Sequence, residues 1–518
     1  MAQTDMAHDI AQDNAKGTRG SVEYVEKAVI HGDHHKKADA FVTGTNLPPI
    51  DPVAEKALNR KLDIWVMPLL TLNFMFAYVD RSNLGNSKII GLEKDLGMEG
   101  YDFNWASTAF YFTYILIELP ANMVLKKIGA KIFLPALCAC FGIITLSTAF
   151  IHNFQSLVAM RLLLGLAEGG LLPGYAYYLS SLYPRYELGG RVAGMMTASL
   201  LSGFLGGFLA LAFGNLRPLG ILHTWRHIYF FEGIISLCLA VVSYIVFPKD
   251  IESAWFLSAQ DKEVGLERLR RQELTDPSTT IKKKHIVQGV KNINNWIAAT
   301  IFSIINVPVQ SCILFLPSII HSMGYTSSKA QIMSGAPFLA GTAMLALQGY
   351  LSDKLRRRGL VILICVPFLA VCFMLLLIFT LGGQHLLDIP GLRYMALFIG
   401  VTFGTGGGPI TLAWAMNNSP NPGVRAVSTA IIIGFGTIGS FIASWTYTNK
   451  EAPLYVTGHA INMGFSVTAV ALIAVYWWYC SWENRQRDLG RRDYRLLDLS
   501  QEEIDDLGHR HPDFRYAS

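Results

Sequence analysis

Gly349-Tyr-Leu-Ser-Asp353-Lys354-Leu-Arg356-Arg357-Arg358 is a short, strongly basic loop between two long apolar segments. It has a counterpart in the first half of the chain, Asn122-Met-Val-Leu-Lys126-Lys127-Ile-Gly129-Ala-Lys131. Outward from these loops, apolar segments recur near residues 62–83, 105–126, 131–151, 155–182, 190–214 and 226–247. They recur again near 295–320, 330–351, 360–381, 393–415, 426–448 and 459–480. Each is long enough to cross a hydrocarbon core, which takes about 20 helical residues. Each basic loop joins the second and third segment of its own set of six. That is the signature of a duplication. It predicts an all-α membrane protein with 12 transmembrane helices in two six-helix, pseudo-symmetric bundles, residues 62–247 and 293–480. The other stretches are polar: a cytosolic tail without fixed structure over 1–61, a central cytosolic loop over 248–292 and a second tail over 481–518.

Composition fits a chain that faces lipid. Of 518 residues, 52% are hydrophobic and only 16% charged, against about 25% charged in soluble domains, and the mean hydropathy is +0.34. An ordinary soluble enzyme and a disordered chain are excluded. The seven cysteines all lie in apolar segments, which excludes a disulfide scaffold. The formal net charge of +5 is carried beside apolar segments, where cations orient a membrane protein rather than bind nucleic acid. Lys126, Lys127 and Lys131, and likewise Lys354, Arg356, Arg357 and Arg358, place both quoted loops in the cytosol; an even number of crossings brings both termini to the same side. Lys88, Lys94, Arg217, Arg226, Arg393 and Lys450 come out external and weaken this bias. No basic stretch followed by an apolar core opens the chain, so no cleaved signal peptide is expected. His31, His34 and His35 lack a second ligand set and read as solvated tail rather than a metal site.

Ionisable residues inside spanning helices are costly and usually functional, which singles out Asp80, Arg81, Glu118, Arg161 and Glu168. Asp80 and Arg81 lie in Tyr78-Val-Asp80-Arg81-Ser-Asn83-Leu-Gly-Asn86. Either they stand in the outer half of the first helix, with Asn83 and Asn86 continuing a polar face, or the helix ends there and both are wet. Arg161 and Glu168 are seven residues apart and so share one face of the fourth helix, about 10.5 Å apart. That helix runs inward, so Arg161 is expected near the level of Arg81 and Glu168 closer to the midplane. Two cations above one buried acid suit an anion and a proton. A structural ion pair between Asp80 and Arg161 is the competing account. Glu118, just before Pro120, has either a gating or a snorkelling role. Asp353 with Lys354 forms either a latch that caps the positive end of a neighbouring helix or a merely topogenic loop. From the second half, Asn306 and Gln310 share a face of the seventh helix. With Trp414 or Asn417 from the tenth, they are candidates for the substrate site, or else helix-packing donors.

No Gly-x-x-x-x-Gly-Lys-Ser/Thr loop, His-Glu-x-x-His or Cys-x-x-Cys pair is present, so neither enzyme chemistry nor a cofactor is expected. Gly404, Gly406, Gly407 and Gly408 lie within an apolar segment and read as close packing or a flexible break.

The second loop resembles the motif of the major facilitator superfamily, Gly-x-x-x-Asp-Arg/Lys-x-Gly-Arg/Lys-Arg/Lys. Arg356 replaces its second Gly, and Lys126 stands where the first copy would carry the Asp. Further stretches resemble the anion:cation symporter family, more narrowly its fungal allantoate, nicotinate, pantothenate and biotin permease branch. They are Asp80-Arg81-x-Asn83-x-Gly85-Asn86, Ile117-Glu118-Leu-Pro120-Ala-Asn122, Arg161-x-x-x-Gly165-x-x-Glu168, Trp225-Arg226-x-x-Tyr-Phe-Phe-Glu232-Gly233 and Pro512-Asp-Phe514-Arg515-Tyr516. The resemblance implies import of a small organic anion coupled to protons. Arg81, with Tyr78 beside it, then holds the substrate carboxylate, and Asp80 and Glu168 take part in proton coupling. A monomeric carrier in the plasma membrane is expected, moving a vitamin-like or nitrogen-source carboxylate such as nicotinate, pantothenate or allantoate.

The alternative is efflux of a fungal secondary metabolite or drug by proton antiport on the same fold. Drug antiporters of the superfamily typically carry Gly-x-x-x-Gly-Pro-x-x-Gly-Gly in their fifth helix. Here Ser202-Gly203-Phe-Leu-Gly206-Gly207-Phe has no proline, which favours uptake. A sensor built on this fold would carry a longer tail than the roughly 38 residues after Cys480.

Overall fold

The computed structural model describes residues 50–275, 283–355, 357–381, 390–419, 422–497, 499, 504 and 507–517. The His31, His34 and His35 cluster and Arg356 lie outside the described residues. Among those described, eleven helices are long and apolar enough to cross a membrane, and Asp102–Ile128, bent near Pro120, makes a twelfth. In chain order they are α1 (Pro52–Lys88), α2 (Asp102–Ile128), α3 (Ala130–Thr148), α4 (Phe154–Leu182), α5 (Glu187–Gly214), α6 (Trp225–Val246), α7 (Ile293–Ser322), α8 (Ser327–Leu355), α9 (Arg358–Leu381), α10 (Pro390–Asn417), α11 (Gly423–Ala443) and α12 (Val456–Asp488).

Local chemistry sets several boundaries. The Asp51 carboxylate accepts from Val53 N, and Pro52 opens the helix, a position where its missing N–H costs nothing. The first turns of α1 are amphipathic, burying Leu58 and Leu62, and the helix jogs at Val66 ahead of Pro68. The helix then runs on without interruption to Lys88, so Asp80 and Arg81 stand inside it rather than past its end. The side chain of Asn153 caps α4 by accepting from Ser156 N. α10 is broken: Pro390–Gly404 and Gly407–Asn417 are separate helical pieces.

Two surface helices, Ala259–Thr275 and Lys283–Lys291, lie in the central polar stretch. The first packs on the start of α1, where Arg268 donates to Asn59 Oδ1 and to the Leu182 carbonyl and Lys61 pairs with Asp261. The second packs on α11, with His285 against Gly423 and Gly289 against Val427. Each half of the protein therefore holds its own piece of the connection. These helices, the start of α1 and the end of α12 mark one face of the bundle, called the terminal face below; the opposite face is the distal one.

Within each half, small residues let backbones meet. A Cβ on Gly165 of α4 would stand 2.3 Å from the Phe110 carbonyl of α2, and one on Gly439 of α11 would stand 2.2 Å from the Ser303 carbonyl of α7. Such contact has no room for a side chain. Contacts between the halves gather at the distal end. A Cβ on Gly85 of α1 would lie 2.1 Å from the Leu314 carbonyl of α7, and one on Gly207 of α5 would lie 2.5 Å from the Gln331 carbonyl of α8. Asn104 of α2 donates to the carbonyls of Ser444 (2.6 Å) and Tyr447 (2.8 Å), just beyond α11. Trp445 donates to the Thr108 hydroxyl at 2.9 Å, and Lys88 bridges to Asn449.

Candidate functional site

Consecutive helical residues point about 100° apart, so Asp80 and Arg81 of α1 serve different surroundings. Arg81 Nε donates to Glu168 Oε2 of α4 at 2.8 Å. Its guanidinium lies over the rings of Tyr78 (4.4 Å), Tyr114 (4.8 Å) and Phe110 (5.0 Å), favourable cation–π geometry. The Arg81 side chain keeps 14% exposure, whereas Glu168 has none and its Oε1 has no hydrogen-bond partner. The site is thus one cation, partly open, walled by aromatic rings and neutralised from behind by a carboxylate with an idle oxygen.

This pairing joins Arg81 to Glu168, which was expected at a deeper level than Arg81. Side chains on a helix lean toward its N-terminus. α1 and α4 run in opposite directions, so Arg81 and Glu168 lean toward each other. Arg161, buried at 3%, donates instead to the Tyr229 hydroxyl of α6 at 2.9 Å. Asp80, also buried at 3%, accepts from the Thr145 hydroxyl of α3, and its Oδ1 is unpartnered. It makes no salt bridge among the described residues, and the Arg161 charge reaches it through space.

The structure adds a residue to which the sequence reading gave no role. Glu232 of α6 is buried, accepts from Asn83 Nδ2 and has an unpartnered Oε1. The signal was present, since Glu232 is an acid inside an apolar segment and falls under the rule that singled out Glu168. Among the described residues, the cations Arg81, partly open, and Arg161, buried, stand against the three acids Asp80, Glu168 and Glu232.

The remaining candidates are dispersed. Asn306 donates to the Gly436 carbonyl (2.9 Å) and the Ser440 hydroxyl (2.8 Å), tying α7 to α11; Gln310, one turn on, is half-buried. Trp414 and Asn417 do not join the site. The Trp414 indole is fully buried, 4.5 Å from the Tyr476 ring, and donates to the Ala517 carbonyl at 2.6 Å. Asn417 is exposed at the end of α10, because the lower piece of that helix turns these positions toward α12 and the terminal face. Glu118 is half-buried and has no salt-bridge partner among the described residues. Asp353 is exposed and takes Arg358 at 3.1 Å, an intra-loop pair of the kind that contributes little. Lys354 rests 5.6 Å from the Tyr350 ring.

Two six-helix halves joined at one end, with a half-open charged site between buried helices, define a membrane transporter. The chain belongs to the Major Facilitator Superfamily, whose sequence model matches residues 70–477. It is 31% identical over 443 residues to the MFS-type transporter efuF of Hormonema carpetanum, covering 85% of this chain and 88% of that one. It is 29% identical over 461 residues to the high-affinity nicotinic acid transporter of Saccharomyces cerevisiae, covering 86% and 84%. Among solved structures, a D-xylose-proton symporter superposes with a TM-score of 0.62 at 14% identity, over 79% of this chain and 97% of that one. The protein is a multi-pass transporter and not an enzyme.

Proposed function

We propose that this chain is a proton-coupled importer of a small organic monocarboxylate, of the anion:cation symporter type, with nicotinate as first candidate and pantothenate and allantoate next. The observation that carries this reading is the Arg81–Glu168 pair at 2.8 Å. A substrate carboxylate and Glu168 compete for the same guanidinium. When Glu168 takes a proton, Arg81 is released to form a charge-assisted pair with the substrate, and Tyr78, Phe110 and Tyr114 flank it. When Glu168 loses the proton it reclaims Arg81 and expels the anion. Proton and anion therefore favour each other's binding reciprocally.

Asp80, held by Thr145 and facing the Arg161 charge, is the second proton-coupling acid. Gln310 and Asn306 offer polar groups from the second half. Glu118, Asp353 and Lys354 act at the terminal-side mouth. The halves rock about the fixed site. With both termini in the cytosol of a plasma-membrane carrier, the distal contacts at Gly85 and Asn104 support a cytosol-facing state. The identity to a nicotinic acid transporter supports the substrate class.

The test is uptake of labelled nicotinate, pantothenate, biotin and allantoate into yeast expressing the chain, at acidic and neutral pH, with and without a protonophore. Acid-stimulated, protonophore-sensitive accumulation of one of them is expected. A carrier that reaches the plasma membrane and accumulates none, yet speeds the exit of a preloaded compound, would replace import with antiport.

A further inference from the structure

We propose that residues 507–517 form a strap that fastens the lower piece of the broken α10 to α7 and α12, so that these three helices move as one body. The tail folds back under the terminal face of the second half. Tyr516 is the anchor, at 5% exposure. Its hydroxyl accepts from Asn294 Nδ2 at the start of α7 (3.1 Å). Its backbone N–H donates to Asn484 Oδ1 of α12, and its carbonyl accepts from Asn484 Nδ2, both at 2.8 Å. Ala517, the next residue, grips the end of α10. Its N–H donates to Asn418 Oδ1 at 2.8 Å, and its carbonyl accepts from the Trp414 indole. Arg487 of α12 closes the arrangement by donating to the carbonyls of His509 and Phe514, with its guanidinium 4.6 Å from the Tyr516 ring.

Two features give the strap a mechanical meaning. First, it is recognised mostly through its backbone by buried and half-buried side chains that reach out of three different helices, so its removal would leave Trp414, Asn418 and Arg487 with unpaired polar groups in buried positions, which is costly. Secondly, the piece it holds is one that has come away from regular helix. Thr405 and Gly406 interrupt α10 between Pro390–Gly404 and Gly407–Asn417. An interrupted helix bends at its break unless both pieces are held. The strap holds the free end of the lower piece. With it in place the second half rocks as a rigid body; without it the break at Thr405–Gly406 becomes a hinge.

The experiment reads that hinge directly and does not depend on the substrate or on proton coupling. Spin labels are placed in a cysteine-free background at Met395 in the upper piece and Asn417 in the lower one, both exposed. Their separation is about 33 Å along the helix at 1.5 Å per residue, within reach of pulsed electron–electron distance measurement. The intact chain should give a single narrow distance distribution. Deletion of residues 514–518 should broaden it at least about twofold, and so should Asn484→Ala in the full-length chain, which removes both backbone bonds to Tyr516. Equal widths in the intact and altered proteins overturn the proposal, as does a broad distribution in the intact chain. If the deletion aggregates, the Asn484→Ala protein decides by the same criterion.

Discussion

Replacing Glu168 by Gln keeps the size of the side chain and an acceptor oxygen for Arg81 while removing the charge. In the structure Arg81 Nε and Glu168 Oε2 are 2.8 Å apart and Glu168 has no exposure. Hydrogen bonds to charged groups contribute about 1.5–3 kcal/mol net; passing from an ion–ion bond at the upper end to an ion–amide bond at the lower end loosens the internal hold on Arg81 by about 1.5 kcal/mol. On the proposed mechanism an incoming carboxylate must overcome that hold. The Glu168→Gln carrier should therefore bind its substrate about tenfold more tightly than the wild type at neutral pH, since 1.4 kcal/mol is a factor of ten. The sign with pH follows. Acid protonates Glu168 in the wild type and makes it resemble the variant, so wild-type affinity rises on acidification while the variant's stays flat. Equilibrium binding to purified protein across pH, paired with proteoliposome transport, tests both statements. The variant should exchange substrate and fail to accumulate it against a gradient. Weaker binding than wild type, or a wild-type pH slope in the variant, refutes the competition between Glu168 and substrate.

Arg81→Lys keeps the charge but loses the planar donor set and the fit over Tyr78, Tyr114 and Phe110; substrate affinity should fall at least about tenfold at normal surface level, read in the same binding assay. Gly85→Val would drive a side chain into the Leu314 carbonyl, 2.1 Å from the nearest Cβ position, and so part the halves at the distal end. A cysteine introduced at Asn86 should then react faster with an impermeant thiol reagent added from that side, and an unchanged rate would count against the closed distal contact. Glu232→Gln should leave substrate affinity intact, because Glu232 bonds Asn83 rather than Arg81, but alter the acid dependence of net uptake. Glu483→Gln takes the shared carboxylate from Arg487, Arg492 and Arg495, and the thermal midpoint should drop by several degrees.

The spans were legible because crossing lipid imposes a length and an apolar composition that any window along the chain detects. Arg81 and Glu168 were legible for the same reason inverted: charge in such a window stands out. Their partnership was not. Counting rises along each helix put Arg81 beside Arg161, whereas the pairing depends on the opposite lean of side chains on antiparallel helices and on rotamers. Trp414 shows the other limit. Its spacing along α10 says nothing about the Ala517 carbonyl, more than a hundred residues further on, which draws the indole away from the cleft. Asn306 was ambiguous between site and packing, and the packing bonds to Gly436 and Ser440 arise from a close α7–α11 approach that only the assembled helices reveal.

Asp80, Glu168 and Glu232, with Arg81 and Arg161, all stand in the first half of the chain. On the proposed mechanism the first half alone therefore carries the machinery for coupling the proton to the anion. A chimera joining residues up to the central stretch of this chain to the second half of a relative should keep this chain's proton dependence. The second half of such a carrier can then diverge while the engine stays untouched.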